Sequence, residues 1–225
     1  MADANASEGS SRAVTIGVEQ IRLNADLTLP EGPVRGVVLF AHGSGSSRRS
    51  PRNQQVAGAL VRRGLATVLL DLLTEYEEQE DLRTRELRFD IPMLAGRLVG
   101  ALDWIPEQAD LQRQPVGLFG SSTGAAAALI AAAERPARVQ AVVSRGGRPD
   151  LAGEALARVK APTLFIVGGE DEPVIGMNRD AAAQMNCEVS TDIVSGATHL
   201  FEEPGKLDQV SALAGNWFLE KFRSV

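Results

Sequence analysis

Residues 116–124 read Val-Gly-Leu-Phe-Gly-Ser-Ser-Thr-Gly and end a short apolar run just before the alanine-rich stretch 125–133. This pattern predicts a buried strand, a tight turn centred on Ser122 and a helix. Gly120 and Gly124 occupy the positions where a strained, positive-φ backbone at Ser122 would make side chains collide. The first N–H groups of such a helix point towards the serine hydroxyl, where an oxyanion can form. The stretch therefore predicts a nucleophilic serine on a strand-to-helix turn.

A serine hydroxyl is a weak nucleophile near neutral pH, so this turn requires a base and an acid elsewhere in the chain. The sequence contains only two histidines, and the later one, His199, lies in a turn between a strand-like run and the last helix. Between Ser122 and His199, the apolar run 163–167 leads into an acidic turn, Glu170-Asp171-Glu172. Each of its carboxylates is a candidate acid. The order along the chain is therefore serine, acid, histidine.

Four stretches of this sequence resemble the α/β-hydrolase superfamily and, within it, the dienelactone hydrolase-like group of small enzymes without a cap. They are Ala-His-Gly-Ser-Gly-Ser-Ser at 41–47, the turn around Ser122, Gly-Gly-Glu-Asp-Glu-Pro-Val at 168–174 and Gly-Ala-Thr-His-Leu-Phe at 196–201. The resemblance implies a mostly parallel central sheet with helices on both faces, no cap domain, and Asp171 as the acid. Glu170 and Glu172 remain alternatives. Dienelactone hydrolases carry cysteine where this chain has Ser122, so the resemblance gives little support to a dienelactone substrate.

The function implied by the resemblance is hydrolysis of small carboxylic esters or lactones through an acyl-enzyme on Ser122. The backbone N–H of Thr123 and one from the loop after the first parallel strand, for which Ser44 is the candidate, would hold the oxyanion. His42 opens that loop, and we expect it to shape the loop rather than act as the base. We expect Ser121 to point away from the site. An acyltransferase or perhydrolase using the same residues, or a ligand-binding relative without catalysis, are the alternatives.

The remaining sequence independently favours an alternating α/β fold. Residues 14–18 and 21–29 read as an antiparallel pair at the sheet edge, and apolar runs at 36–41, 66–72, 139–143, 162–167 and 188–194 read as further strands. Helices are predicted after Ser50 as N-cap, across about 82–105 with a kink or break at Pro92, after the serine turn, at 177–185, and near the C-terminus. We predict an acidic loop containing Glu77 before residue 82. Residues 1–12 read as a flexible tail and 13–225 as one domain.

Composition narrows the classes of function. The chain has 225 residues, 44% of them hydrophobic, and a net charge of −6 without a concentrated basic stripe, which argues against nucleic-acid binding. The N-terminal stretch lacks the basic and apolar parts of a secretory signal, and no run reads as a membrane span. The single cysteine, Cys187, suits a reducing cytoplasm. We expect a small-molecule ester as substrate, no cofactor, no metal, no membrane partner, and a monomer or homodimer.

Two features bear on substrate choice. Five arginines follow predicted strand ends and could meet an anionic substrate at the rim of the site, although a solvated surface is the favoured interpretation: Arg48, Arg49, Arg52, Arg145 and Arg148. The segment between residues 143 and 162 is too short for a lid domain. We therefore expect an open, shallow site that prefers short acyl chains.

Overall fold

The computed structural model describes residues 9–223, and within them eight strands form one sheet in the order β1-β2-β4-β3-β5-β6-β7-β8. The strands from β3 onward pair in parallel, whereas β2 runs antiparallel to both β1 and β4. Their bounds are β1 Ser11–Val18, β2 Ile21–Thr28, β3 Val37–Ala41, β4 Ala66–Leu70, β5 Val116–Ser121, β6 Val139–Arg145, β7 Thr163–Gly168 and β8 Val189–Val194. The central strands are buried along their whole length because helices cover both faces.

Helices within the same residues pack against both faces of the sheet. They are α1 Pro51–Val61, α2 Glu75–Thr84, α3 Ile91–Trp104, α4 Thr123–Glu134, α5 Glu172–Ala182 and α6 Lys206–Phe222. One apolar core contains residues of α1 and α6, and the other contains residues of α3, α4 and α5. The predicted mostly parallel sheet with helices on both faces is therefore confirmed. Among the described residues, no helix is long and apolar enough to cross a membrane.

Two helices agree with their sequences, α1 in its N-terminal cap and α6 in its apolar face. The Ser50 side chain accepts a hydrogen bond from the backbone N–H of Asn53 and caps α1, with Pro51 in the first turn. The apolar face of α6 is buried at Leu207, Val210, Ala214, Trp217 and Phe218. Both helices lie on the face of the sheet that carries the His199 turn.

The region before α3 corrects the sequence interpretation. The predicted acidic loop is the helix α2, and its N-terminus is a capping box in which Thr74 and Glu77 satisfy each other's backbone N–H groups. A 3-10 helix at Leu87–Phe89 separates α2 from α3. Pro92 lies in the first turn of α3, where proline is tolerated, so it begins this helix instead of kinking a longer one.

Other boundaries differ by a few residues. β1 begins at Ser11, so Ser11 and Arg12 of the predicted tail belong to a strand, while residues 1–8 lie outside the described part. α5 begins at Glu172, five residues before the predicted start. Between β6 and β7 the chain forms 3-10 turns at Pro149–Arg158, which bury Ala152, Ala155 and Leu156 in the core instead of building a lid.

Candidate active site

Ser122 lies at the turn between β5 and α4 with φ 50° and ψ −123°, a backbone conformation that non-glycine residues rarely adopt. The neighbouring glycines explain how the turn fits. A Cβ atom at position 120 would lie 2.4 Å from the Cα of Ala125, and one at 124 would lie 2.4 Å from the carbonyl oxygen of Ala41. Because both obstacles are backbone atoms, neither could move aside. The turn therefore has the geometry of a nucleophile elbow.

The histidine and the acid meet at the same edge of the sheet. Asp171 follows β7, His199 follows β8, and the His199 Nδ1 atom lies 2.6 Å from Asp171 Oδ2. The Asp171 side chain is 15% exposed and that of His199 39%, so the carboxylate is largely enclosed while the imidazole reaches solvent. The structure thus places Asp171, and not Glu170 or Glu172, against the imidazole.

The elbow and the histidine turn are neighbours across β6. The carbonyl oxygen of Arg145 accepts the backbone N–H of Ser122 at 3.3 Å. A Cβ atom on the next residue, Gly146, would lie 3.6 Å from His199 Cε1. Among residues 9–223, no hydrogen bond joins the Ser122 hydroxyl to His199. Such contacts are often long without substrate and tighten when it binds.

The two backbone N–H groups expected to hold the oxyanion differ in their hydrogen bonding. Thr123 is the first residue of α4, so its backbone N–H has no acceptor within the helix and is available to a ligand. The N–H of Ser44, by contrast, donates to the Thr123 hydroxyl at 2.9 Å. The expectation that Ser44 donates to the oxyanion does not fit this geometry, because the threonine side chain at the helix start competes for that N–H. Gly43 brings the loop against the elbow, since a Cβ there would lie 3.1 Å from Ser122 Cβ.

His42 is a buried residue that connects the loop to the sheet. Its Nδ1–H donates to the carbonyl oxygen of Gly43 at 2.9 Å, and its Nε2 accepts the backbone N–H of Leu72 at 3.0 Å. This pattern requires the neutral ring. Burial lowers the pKa of His42 below its usual 6.5, which keeps the ring neutral. Both nitrogens are occupied, so His42 lacks a free nitrogen with which to act as a base.

Three of the five arginines have carboxylate partners within the chain. Arg48 pairs with Asp71 and, at 3.2 Å, with Asp26. Arg52 pairs with Glu202 at 2.8 Å, and Arg148 with Asp150 at 2.7 Å. For these three arginines, the pairs argue against a role in binding an anionic substrate, because their charges are already compensated. Arg145 is buried instead of solvated.

Acidic residues of α2 likewise form ion pairs with arginines of the chain. Glu77 pairs with Arg97 at 2.7 Å, and this arginine together with the Thr74 backbone lowers the pKa of Glu77 to about 2. Asp81 pairs with Arg88 at 2.6 Å. Both pairs fasten α2 beside the loop that follows β3.

A cavity of about 100 Å³ lies between that loop and α2. It is bordered by the loop residues 42–47 and by side chains of both polar and apolar character, including Leu72, Leu82, Leu94 and Arg88. The sequence does not predict the α2 side of this cavity, because its acidic residues read as a loop. The Thr-Glu-Tyr-Glu motif at 74–77, a capping box, is the signal that could have revealed it.

This geometry is that of an α/β-hydrolase. It combines an elbow serine, a histidine–aspartate pair and strand-end loops that meet at one edge of a mostly parallel sheet. A family model described as an alpha/beta hydrolase domain matches residues 34–214. The chain belongs to the α/β-hydrolase family.

Solved structures place it more finely. A crystal structure of dienelactone hydrolase from Anabaena variabilis is 58% identical, superposes with a TM-score of 0.92, and aligns over 95% of this chain and 99% of that one. The chain is thus dienelactone hydrolase-like. Est1E from Butyrivibrio proteoclasticus superposes with a TM-score of 0.77 over 94% of this chain and 99% of that one; at 16% identity this likeness concerns the fold alone.

Curated relatives carry a different name. Two Mycobacterium tuberculosis proteins named as phosphoribosyl transferases are each 55% identical over 194 residues, which is 86% of this chain. The alignment covers 43% of each of those proteins. The chain therefore spans less than half the length of the curated relatives it matches.

Proposed function

We propose that this chain is a serine hydrolase that cleaves small carboxylic esters or lactones with Ser122 as nucleophile, His199 as base and Asp171 as its orienting acid. The observation that carries the proposal is the 2.6 Å contact between His199 and Asp171 at the sheet edge where Ser122 lies on a strained elbow. The dienelactone hydrolase from Anabaena variabilis, 58% identical, supports the same class of reaction.

In the proposed reaction, His199 Nε2 takes the Ser122 hydroxyl proton while Oγ attacks the ester carbonyl. Asp171 holds the Nδ1–H tautomer and stabilises the imidazolium. The Thr123 N–H donates to the developing oxyanion. His199 then gives the proton to the leaving alcohol. A water molecule, deprotonated by the same imidazole, attacks the acyl group, and the imidazolium returns this proton to Ser122 Oγ as the acid leaves. For a lactone, the leaving alcohol stays attached to the acyl group.

The substrate is proposed to be small. The segment between β6 and β7 packs on the body instead of roofing the site. The transferase name of the curated relatives belongs to proteins most of whose length lies outside the alignment, and the part matched by this chain is a hydrolase domain.

A fluorophosphonate probe followed by peptide mass spectrometry tests the proposal. We expect one adduct, on Ser122, and none in Ser122→Ala. Ser46→Ala is the matched control, because it removes another hydroxyl near the site and should be labelled like the wild type. An adduct on a different serine, or an unreactive wild type, would refute the assignment, and the latter would favour a ligand-binding protein without catalysis.

A further inference from the structure

Arg145 is a buried arginine without a counter-charge among the residues that the structure describes. Only 6% of the residue is exposed, and it belongs to none of the ion pairs formed within residues 9–223. Its Nη2 donates to Asn53 Oδ1 at 3.2 Å, whereas its Nε is buried without a hydrogen-bond partner in the described part of the chain. The nearby charge of Arg52 has the same sign. A buried, unpaired charge costs several kcal/mol of solvation energy in general, so a residue retained there needs an explanation.

The charge persists at neutral pH. Burial lowers the pKa of Arg145 to about 10, which still leaves the guanidinium protonated at pH 7. An apolar side chain of similar length would fill the space without the solvation cost.

The contacts of Asn53 connect the two structural halves of the site. The same Oδ1 atom that binds Arg145 also accepts the hydroxyl of Ser121 at 2.9 Å, and Ser121 directly precedes the nucleophile. The Asn53 backbone N–H is bound by Ser50, which ends the loop after β3. The carbonyl oxygen of Arg145 holds the N–H of Ser122. Asn53 and Arg145 therefore fix the start of α1, and with it the loop, against the elbow.

On the basis of the proposed function, we propose that Asn53 and Arg145 are positioning residues of the Ser122 site, and that the uncompensated charge of Arg145 favours the negative charge formed in the transition state. A fixed positive charge in a poorly solvated region acts over longer distances than one in water. It is already in place when the oxyanion forms, so no reorganisation is needed.

The decisive variant is Asn53→Asp, which provides Arg145 with a carboxylate while keeping the shape of the side chain. We expect the midpoint of thermal unfolding to stay at or above that of the wild type, while kcat for para-nitrophenyl acetate falls about tenfold and KM changes by less than about twofold. The rate of phosphonate addition to Ser122 should fall in parallel with kcat. If Asn53 and Arg145 had only a structural role, Asn53→Asp would raise stability without lowering kcat.

Two further variants separate charge from packing. Arg145→Met should lower kcat as Asn53→Asp does, and Arg145→Lys, which keeps the charge, should restore most of it. The matched control is Asn216→Asp, because Asn216 accepts a hydrogen bond from Arg63 at 2.6 Å on the exposed side of α6. This control creates the same arginine–carboxylate pair away from Ser122, and kcat should not change.

Several results would overturn the inference. An unchanged kcat in Asn53→Asp would show that the charge is irrelevant to the reaction, and a lower unfolding midpoint would show that Arg145 is not an uncompensated charge. A raised KM with unchanged kcat would indicate substrate binding instead. Labelling by the fluorophosphonate probe separates this failure from failure of the proposed function. The inference fails if the probe labels Ser122 equally fast in the wild type and the variants. The proposed function fails if the probe does not label the wild type.

Discussion

Replacing each histidine by alanine should separate stability from catalysis. His42 is 8% exposed, and its removal leaves the buried Leu72 N–H without its partner, whereas the Gly43 carbonyl oxygen still accepts the N–H of Ser46 at 3.2 Å. An unsatisfied buried group of this kind costs about 1 to 3 kcal/mol. For a chain of this length, that loss lowers the midpoint of thermal unfolding by roughly 2 to 12 °C. Turnover by the folded protein should fall only modestly, through a displaced loop.

His199→Ala should give the opposite result. The His199 side chain is 39% exposed, so losing its contact with Asp171 should cost less than about 1 kcal/mol. Turnover should fall by at least about 10⁴-fold, because only oxyanion and binding contributions remain. Thermal unfolding and para-nitrophenyl acetate hydrolysis, measured on the same samples, check both expectations. If folded His42→Ala lost as much turnover as His199→Ala, the division of roles would be wrong.

The same histidine predicts a dependence of stability on pH. Burial lowers the native pKa of His42, so the unfolded chain takes up a proton at higher pH than the native protein does. The contribution of His42 is therefore complete above about pH 6.5 and is lost as the pH falls below that value. Urea unfolding between pH 7.5 and 5 should show a steeper decline for the wild type than for His42→Ala. Equal slopes would contradict a neutral buried ring.

Three further predictions follow from local geometry. Glu77→Gln should lower the free energy of unfolding by about 1 to 2 kcal/mol through loss of the Arg97 pair. Because the pKa of Glu77 is lowered to about 2, urea unfolding should show this contribution above pH 4.5 and its loss between about 4.5 and 2. Gly124→Ala should lower the free energy of unfolding by about 3 kcal/mol or more, since its Cβ would lie 2.4 Å from the Ala41 carbonyl oxygen. Its control is Gly176→Ala in α5, where a Cβ atom would meet open space, and this change should be neutral or slightly stabilising in the same measurement. Finally, kcat/KM should be highest for acetate to butyrate esters, because without a roof a longer chain gains little of the roughly 0.8 kcal/mol per buried CH₂; a steady rise from acetate to palmitate would contradict the open site.

The sequence predicted the fold where local and global signals coincide. The elbow is an example, because strand, glycine, serine, glycine and helix appear in one uninterrupted stretch around Ser122. The order of Ser122, Asp171 and His199 then sufficed to place their loops at one edge, since parallel strands all end there. The Ser50 cap was equally local, and the structure contains it.

The failures concern contacts between distant residues. The stretch 75–84 has few apolar residues and reads as a loop, but Glu77 binds Arg97 and Asp81 binds Arg88, and these pairs hold it as a helix. Nothing in the sequence around Arg145 predicts its hydrogen bond with Asn53, which lies 92 residues earlier in the chain. Periodicity records which face of an element is apolar. It contains no information about which polar side chain finds which partner.

The loop after β3 illustrates why those polar partners matter to function. Its glycines and serines offer almost no apolar surface, so burial alone cannot fix its position. Directional contacts do so instead: His42 binds Leu72, Ser44 binds Thr123, and Arg48 binds Asp71. Hydrogen bonds depend steeply on distance and angle, so the loop is held more precisely than apolar packing of the same residues would hold it. The proposed oxyanion site would need this precision, and residues far from Ser122 in sequence would then set how well it works.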